Sequence, residues 1–262
     1  MREIDCETTF DRTPRMKDGM LRKIALIAIA ALSLTGVVHA AEGGMEPANV
    51  RVDDIAAVQR GARLFFNYCS GCHSLQYLRY SRIADDLKLD EKAVADSLIF
   101  TGAKIGERAT NHMPAEQSAA WFGKTPPDLS LEARAKGADW IYHYLKSFYL
   151  DPSRPVGWNN TVFPNASMPN ALWELQGLQV AVKHPAAQGQ DAAIEKLEIR
   201  TPGRLDAEQY DQAVRDITSF LAYAAEPAAL KRQAVGVWVL LYLAFFTFLA
   251  WLLKHEYWKD VH

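Results

Sequence analysis

Two apolar runs, one near each end, frame a longer polar stretch. The first covers residues 24–34. Arg22 and Lys23 precede it, and small residues follow, ending Val38-His39-Ala40-Ala41. A basic region, a short apolar core and a small-residue junction make a secretory signal peptide, cut after Ala40. The competing reading is an uncleaved anchor, but the run falls short of the roughly 20 apolar residues a bilayer span requires. Asp5, Glu7, Asp11 and Asp18 lie ahead of the basic region, where acidic residues are unusual; translation starting at Met16 or Met20 accounts for them.

The second run, residues 234–253, has no formal charge and the length of one transmembrane helix. A buried core helix this long shows a polar face; this one shows none. Trp251, Tyr257 and Trp258 suit an interfacial aromatic belt. Lys231 and Arg232 on one side balance Lys254 and Lys259 on the other, so the positive-inside bias leaves the helix unoriented. The signal peptide orients it. The expected division is a signal peptide (1–40), an exported domain (41–230), an anchor (231–253) and a cytoplasmic tail (254–262). The domain then lies on the periplasmic side of a bacterial inner membrane, held by one span.

Within the domain the periodicity is helical. Ile55, Val58, Ala62, Phe65 and Phe66 share one face over residues 53–68, with Asp53 or Asp54 available as cap. Residues 92–100 form a short helix. Pro126-Pro127 breaks any helix, and Asp128 or Ser130 can cap the next, which runs through Arg134 and Trp140 to Tyr149 and is weakened at Gly137. Trp140, Tyr142, Tyr144, Phe148 and Tyr149 along it suit a core or the wall of a cofactor pocket. Residues 151–170 form a long Pro-, Gly- and Asn-rich loop, the kind that is usually functional. Residues 176–200 read as an irregular surface excursion. Ala213, Ile217, Phe220, Leu221 and Ala224 define a last domain helix over 206–225, closed by Glu226-Pro227. No segment alternates convincingly as a strand, so the expected fold is mostly α with long loops and a C-terminal transmembrane helix.

Composition changes this picture little. The 262 residues carry a net charge of −2, with 49% hydrophobic and 11% aromatic residues, which is globular. No basic excess argues for nucleic acid. The chemistry is concentrated in Cys69-Ser70-Gly71-Cys72-His73. C-x-x-C-H is the attachment pattern of a c-type haem: two thiols three positions apart each form a thioether to one vinyl of the same porphyrin, and the adjacent imidazole lies under the iron. A redox dithiol needs no following histidine. A structural zinc site needs four Cys/His ligands, and the remaining cysteine, Cys6, leaves with the signal peptide.

An electron-transfer haem usually takes a second axial ligand, and methionine opposite histidine raises the potential. Met113 and Met168 both precede proline in loops; Met45 is too near the mature N-terminus. His112, His143 and His184 are rivals that would give a lower potential.

The segments CSGCHSLQYLRYSRI (69–83), TPPDLS (125–130), FPNASMPNALW (163–173) and FLAYAAEP (220–227), in this order and followed by the membrane helix, resemble the cytochrome c1 family, the haem subunit of respiratory complex III. The resemblance covers essentially the exported domain and the anchor. It implies a class I cytochrome c-like helical fold whose first and last helices pack near the haem, with thioethers on Cys69 and Cys72. His73 would be the proximal iron ligand and Met168 the distal one. Arg134, with Lys136 as competitor, falls where the family places basic residues near a haem propionate. It further implies cytochrome b, a Rieske iron–sulfur protein as electron donor and a soluble cytochrome c or similar acceptor as partners. The chain alone would then be no enzyme. Glu174, Asp191 and Glu195 are candidates for an acidic docking face. The alternative function is an anchored monohaem cytochrome serving another chain, such as a terminal oxidase.

Overall fold

A computed structural model describes residues 45–183 and 194–259; the expected signal peptide, His184 and Asp191 lie outside them. Roughly half of the described residues are helical. Helix α1 (Ile55–Tyr68) begins where the Asp54 carboxylate accepts the Ala57 N–H at 3.1 Å. Its buried face is Ala57, Val58, Gly61, Ala62, Phe65 and Phe66, which contains four of the five residues of the expected stripe; Ile55 at the first turn is only partly buried.

Between α1 and the final domain helix the chain builds shorter elements. Strand β1 (Leu75–Arg79) pairs antiparallel with β2 (Arg108–Ala109). Helices α2 (Tyr80–Leu87) and α3 (Glu91–Leu98) lie between them, α3 capped by Asp90. Helix α4 (Ala115–Phe122) stops at Gly123, whose φ of +78° lies in the left-handed region. The expected helix through Trp140 is two pieces, α5 (Glu132–Ala135) and α6 (Ala138–Lys146), parted at Gly137 with φ +88°, and it does not reach Tyr149, which lies in a strand. Strands β3 (Phe148–Leu150) and β4 (Trp158–Asn160) pair across the turn that follows, and helix α7 (Trp173–Gln176) is a single turn.

Two further expectations are corrected. Residues 176–200 are not irregular: β5 (Gly177–Lys183) and β6 (Ile194–Pro202) form an antiparallel hairpin. The two register shifts put the extra residues, Glu195 and Arg200, on β6, so its apolar Ile194, Leu197 and Ile199 do not keep a two-residue period; β5 does alternate, with Leu178, Val180 and Val182. Asp128 and Ser130 do not cap α5, which starts after Leu131 with no side-chain cap; they hold the preceding loop onto β1 instead.

Helix α8 (Ala207–Ala225) opens with a capping box: the Asp206 carboxylate accepts the Gln209 N–H at 2.8 Å and the Gln209 side chain accepts the Asp206 N–H at 3.2 Å. It crosses α1 at Gly61, where an added Cβ would lie 1.9 Å from the Asp216 carbonyl oxygen. Phe65 and Phe66 meet Phe220 there, with ring centroids 5.4 and 6.0 Å apart. Arg60 donates from Nε and Nη2 to the two oxygens of Asp216 at 2.7 and 2.9 Å. That carboxylate is 4% exposed, so the bidentate pair is what keeps a buried charge compensated.

A second polar node ties α6 to α8. Tyr142 and Lys146 donate to Asp211 Oδ1, and Arg215 donates to Oδ2. Burial by itself would raise the Asp211 pKa; the bonds from Lys146, Tyr142 and Arg215 outweigh it and bring the carboxyl to about 2, against an ordinary 3.8. A depressed carboxyl stabilises the fold above its unfolded pKa, and that stabilisation is lost as pH falls through the folded value. Asp211 therefore contributes about 2 kcal/mol at neutral pH, lost between roughly pH 4 and pH 2. Asp211→Asn is expected to lower the neutral-pH unfolding midpoint and to flatten the acid limb of the stability curve, both read by chemical denaturation across that window.

Glu226 closes α8, and helix α9 (Ala229–Tyr257) follows. Residues Val235–Tyr257 form the one stretch among the described residues long and apolar enough to cross a membrane, and none of it is buried. At its base, Tyr223 of α8 donates to Asp86 Oδ2 at 3.1 Å and Arg82 does so at 2.7 Å, with Lys231 Nζ 4.0 Å from Oδ1. A nearly buried carboxylate thus joins α2, α8 and the start of α9.

Candidate haem site

The cysteine motif continues the last turn of α1. The Cys69 and Ser70 N–H groups both donate to the Phe65 carbonyl, at 2.8 and 3.0 Å. Cys72 and His73 N–H groups then donate to the Cys69 carbonyl, at 3.1 and 2.9 Å. Both cysteines thus sit on one tight turn, and both are free thiols. The Asn111 side-chain amide donates to the Cys72 carbonyl, and the Asn111 backbone N–H donates to Ser74 Oγ at 2.9 Å. The turn is therefore also held by Asn111, which follows β2 in the chain. Burial pushes the Cys69 thiol up to about 12, and the Cys72 thiol is also raised by burial. Among the described residues no group of three or more His, Cys, Asp or Glu side chains could hold a metal ion.

His73 is 9% exposed, and its Nδ1 lies 2.8 Å from the Pro127 carbonyl oxygen. A carbonyl only accepts, so Nδ1 carries the proton and Nε2 keeps its lone pair. Burial pushes the His73 pKa down, opposed by the Pro127 bond and by Asp128 and Glu132, which favours the neutral imidazole a metal needs. Pro127 is itself fixed by its neighbours: Asp128 accepts the Gln76 and Ser130 N–H groups at 2.8 and 2.9 Å, and Ser130 Oγ accepts the Tyr77 N–H at 3.1 Å. The TPPDLS segment is a bracket for the imidazole.

Met168 is half-buried in the loop between β4 and α7. Asparagines shape that loop. Asn160 Oδ1 accepts the Val162 and Phe163 N–H groups at 2.9 and 3.0 Å, Asn159 Oδ1 accepts the Asn165 N–H at 2.8 Å, and Asn170 Oδ1 accepts the Leu172 N–H at 2.9 Å. The Tyr144 hydroxyl donates to Met168 Sδ at 3.6 Å, and burial pushes the Tyr144 phenol up to about 12, so it stays a donor.

The rivals are placed elsewhere. His143 has Nε2 2.8 Å from the Glu46 carbonyl, and His112 is exposed. Met113 is half-buried beside Asn111, to whose Oδ1 its N–H donates at 3.3 Å. Arg134 is exposed on α5, and among the described residues its guanidinium has no hydrogen bond. Lys136 lies 5.5 Å from the Trp140 ring centroid. Glu174 accepts from Arg204 at 3.0 Å. The sequence did not single out Pro127 as the imidazole's partner or Asn111 as the turn's clamp. Nor did it flag Arg154, whose Nε is buried without a partner among the described residues.

Two free thiols on one turn, a neutral imidazole with Nε2 available and a loop thioether are the donor set of a covalent haem with nitrogen and sulfur axial ligands. With a helical domain carried on one membrane helix, they define a membrane-anchored c-type cytochrome. Comparison with known proteins narrows the class. The profile of the Cytochrome C1 family matches residues 49–261. The cytochrome c1 of Allochromatium vinosum is 48% identical over 244 residues, covering 92% of this chain and 100% of the relative. That of Cereibacter sphaeroides is 25% identical over 92% of this chain and 97% of its own. A protein named ammonia monooxygenase gamma subunit, from Nitrosomonas europaea, is 37% identical over 92% of this chain and 100% of its own. The chain belongs to the cytochrome c1 family, whose members carry a covalently bound haem c. Its function is that of the electron-transfer subunit of the cytochrome bc1 complex, and service to another electron-transport chain is not favoured.

Proposed function

We propose that Cys69 and Cys72 carry the haem thioethers and that His73 Nε2 and Met168 Sδ are the axial ligands. The observation that carries this reading is the His73 Nδ1–Pro127 bond, which orients the imidazole and leaves Nε2 as its lone-pair nitrogen. Arg134, exposed and without a hydrogen bond among the described residues, supplies positive charge to a propionate. When bound, the haem exchanges one electron at its iron. The protein moves no proton and forms no bond in doing so; its side chains fix ligand geometry and exclude water.

Electrons enter from a Rieske iron–sulfur protein and leave to a soluble cytochrome c or a similar acceptor, while a cytochrome b subunit shares the membrane. Residues 1–40 are the signal peptide, residues 41–230 lie in the periplasm, 231–253 anchor the chain and 254–262 are cytoplasmic. Glu174, Asp191 and Glu195 contribute acidic charge toward a basic carrier, through a small, steered contact. Purification in mild detergent tests this: the chain is expected to co-isolate with a di-haem cytochrome b and a Rieske protein. Recovery with the subunits of an oxidase instead would overturn the assignment.

A further inference from the structure

One aromatic residue of α6 does more than fill the core. Tyr144 stacks on Trp140 with ring centroids 4.9 Å apart and planes at 9°, and Phe148 meets its edge at 4.9 Å. The Asn160 side chain donates to the Tyr144 carbonyl at 2.8 Å, joining the end of α6 to the start of the Met168 loop. Ring and backbone are both fixed, so the hydroxyl has one direction. It points at Met168 Sδ, 3.6 Å away. Among the described residues it has no other hydrogen bond. A buried phenol usually finds a strong acceptor, and a thioether is a weak one; here the thioether is the acceptor the fold presents to the hydroxyl.

We infer that Tyr144 is a positioning residue for the axial sulfur and that its hydroxyl raises the reduction potential. The inference rests on Met168 being the distal ligand. A thioether sulfur has two lone pairs: one goes to the metal, and the other takes the Tyr144 hydrogen. That hydrogen bond draws density from the sulfur and makes it a poorer donor to the oxidised, more electron-demanding iron. The positive end of the O–H dipole faces the same way and opposes the extra positive charge of the oxidised state. Both effects favour the reduced form. Reduction adds one electron and transfers no proton, so Tyr144 keeps its hydrogen throughout. The locked ring means the dipole is in place before the electron arrives.

The test is potentiometric titration of the bc1 complex carrying Tyr144→Phe, with the ferric sulfur-to-iron charge-transfer band recorded alongside. The expected result is a retained band and a potential shifted downward, the one-electron equilibrium moving toward the oxidised form on the order of two- to fivefold. A retained band with an unchanged potential overturns the inference, because lost packing alone leaves the ligand in place without this polar effect. Met168→Leu separates the underlying reading: if band and potential both survive that change, Met168 is not the ligand and the first reading fails on its own account. If Tyr144→Phe yields no haem protein, a ring-fluorinated tyrosine at position 144 keeps the ring and strengthens the donor. An upward shift in potential then supports the role, and no shift overturns it.

Discussion

Met168→Leu is expected to yield a protein that keeps its covalent haem, shows a markedly lower reduction potential and binds CO when reduced. Leu and Met are close in volume, and such exchanges usually cost less than about 1.5 kcal/mol. The asparagine bonds that shape the loop come from positions 159, 160 and 170, so the backbone around residue 168 keeps its supports. What changes is the donor: a methyl stands where the sulfur stood. Loss of a methionine opposite histidine lowers the potential of a c-type haem, and a hydrocarbon cannot close the sixth position against a small ligand. Redox titration and CO difference spectra read the two effects separately. Unchanged values in both would assign the sixth ligand to another residue, with Met113 the next sulfur to examine.

Gly61 sets the second large effect. Alanine is the better helix former by about 1 kcal/mol, so local propensity alone predicts that Gly61→Ala stabilises α1. The crossing predicts the opposite. The new methyl would lie 1.9 Å from a backbone oxygen of α8 and 2.9 Å from the Phe220 Cβ, and backbone cannot swing aside as a flexible side chain can. Overpacking of this kind costs about 1–3 kcal/mol, occasionally more, and Gly61→Val belongs at or above the top of that range. Because α1 presents the cysteine turn, separation of the two helices also displaces the attachment site. The expected outcome is a lower unfolding midpoint for Gly61→Ala and little haem-stained protein for Gly61→Val. A midpoint raised by alanine would mean that the helices do not cross this closely.

Much of this architecture is written plainly in the chain. The first and last domain helices combine an apolar stripe with an aspartate cap, and the anchor is an uncharged run too long to be anything shorter than a span. The haem motif is legible because thioether chemistry fixes its spacing. Other parts are carried by pairings that only the fold creates. Strand β6 hides behind two register shifts, although its partner β5 alternates Leu178, Val180 and Val182. Helix α4 buries only Ser118, so it has no stripe to detect. Asp128 and Ser130 look like caps, yet they serve the bracket that holds Pro127 against His73, a contact across 54 positions. The loop around Met168 shows its Pro and Asn content in the sequence, but not that the asparagines build its internal hydrogen bonds or that Tyr144 reaches its sulfur.

The most direct test of a haem closed by His73 and Met168 is CO binding to the reduced, detergent-solubilised complex containing the unmodified chain. The wild-type c-type haem is expected to give no CO difference spectrum while Met168→Leu gives one. Rapid CO binding by the wild-type haem would contradict a closed electron-transfer site and point to an open iron.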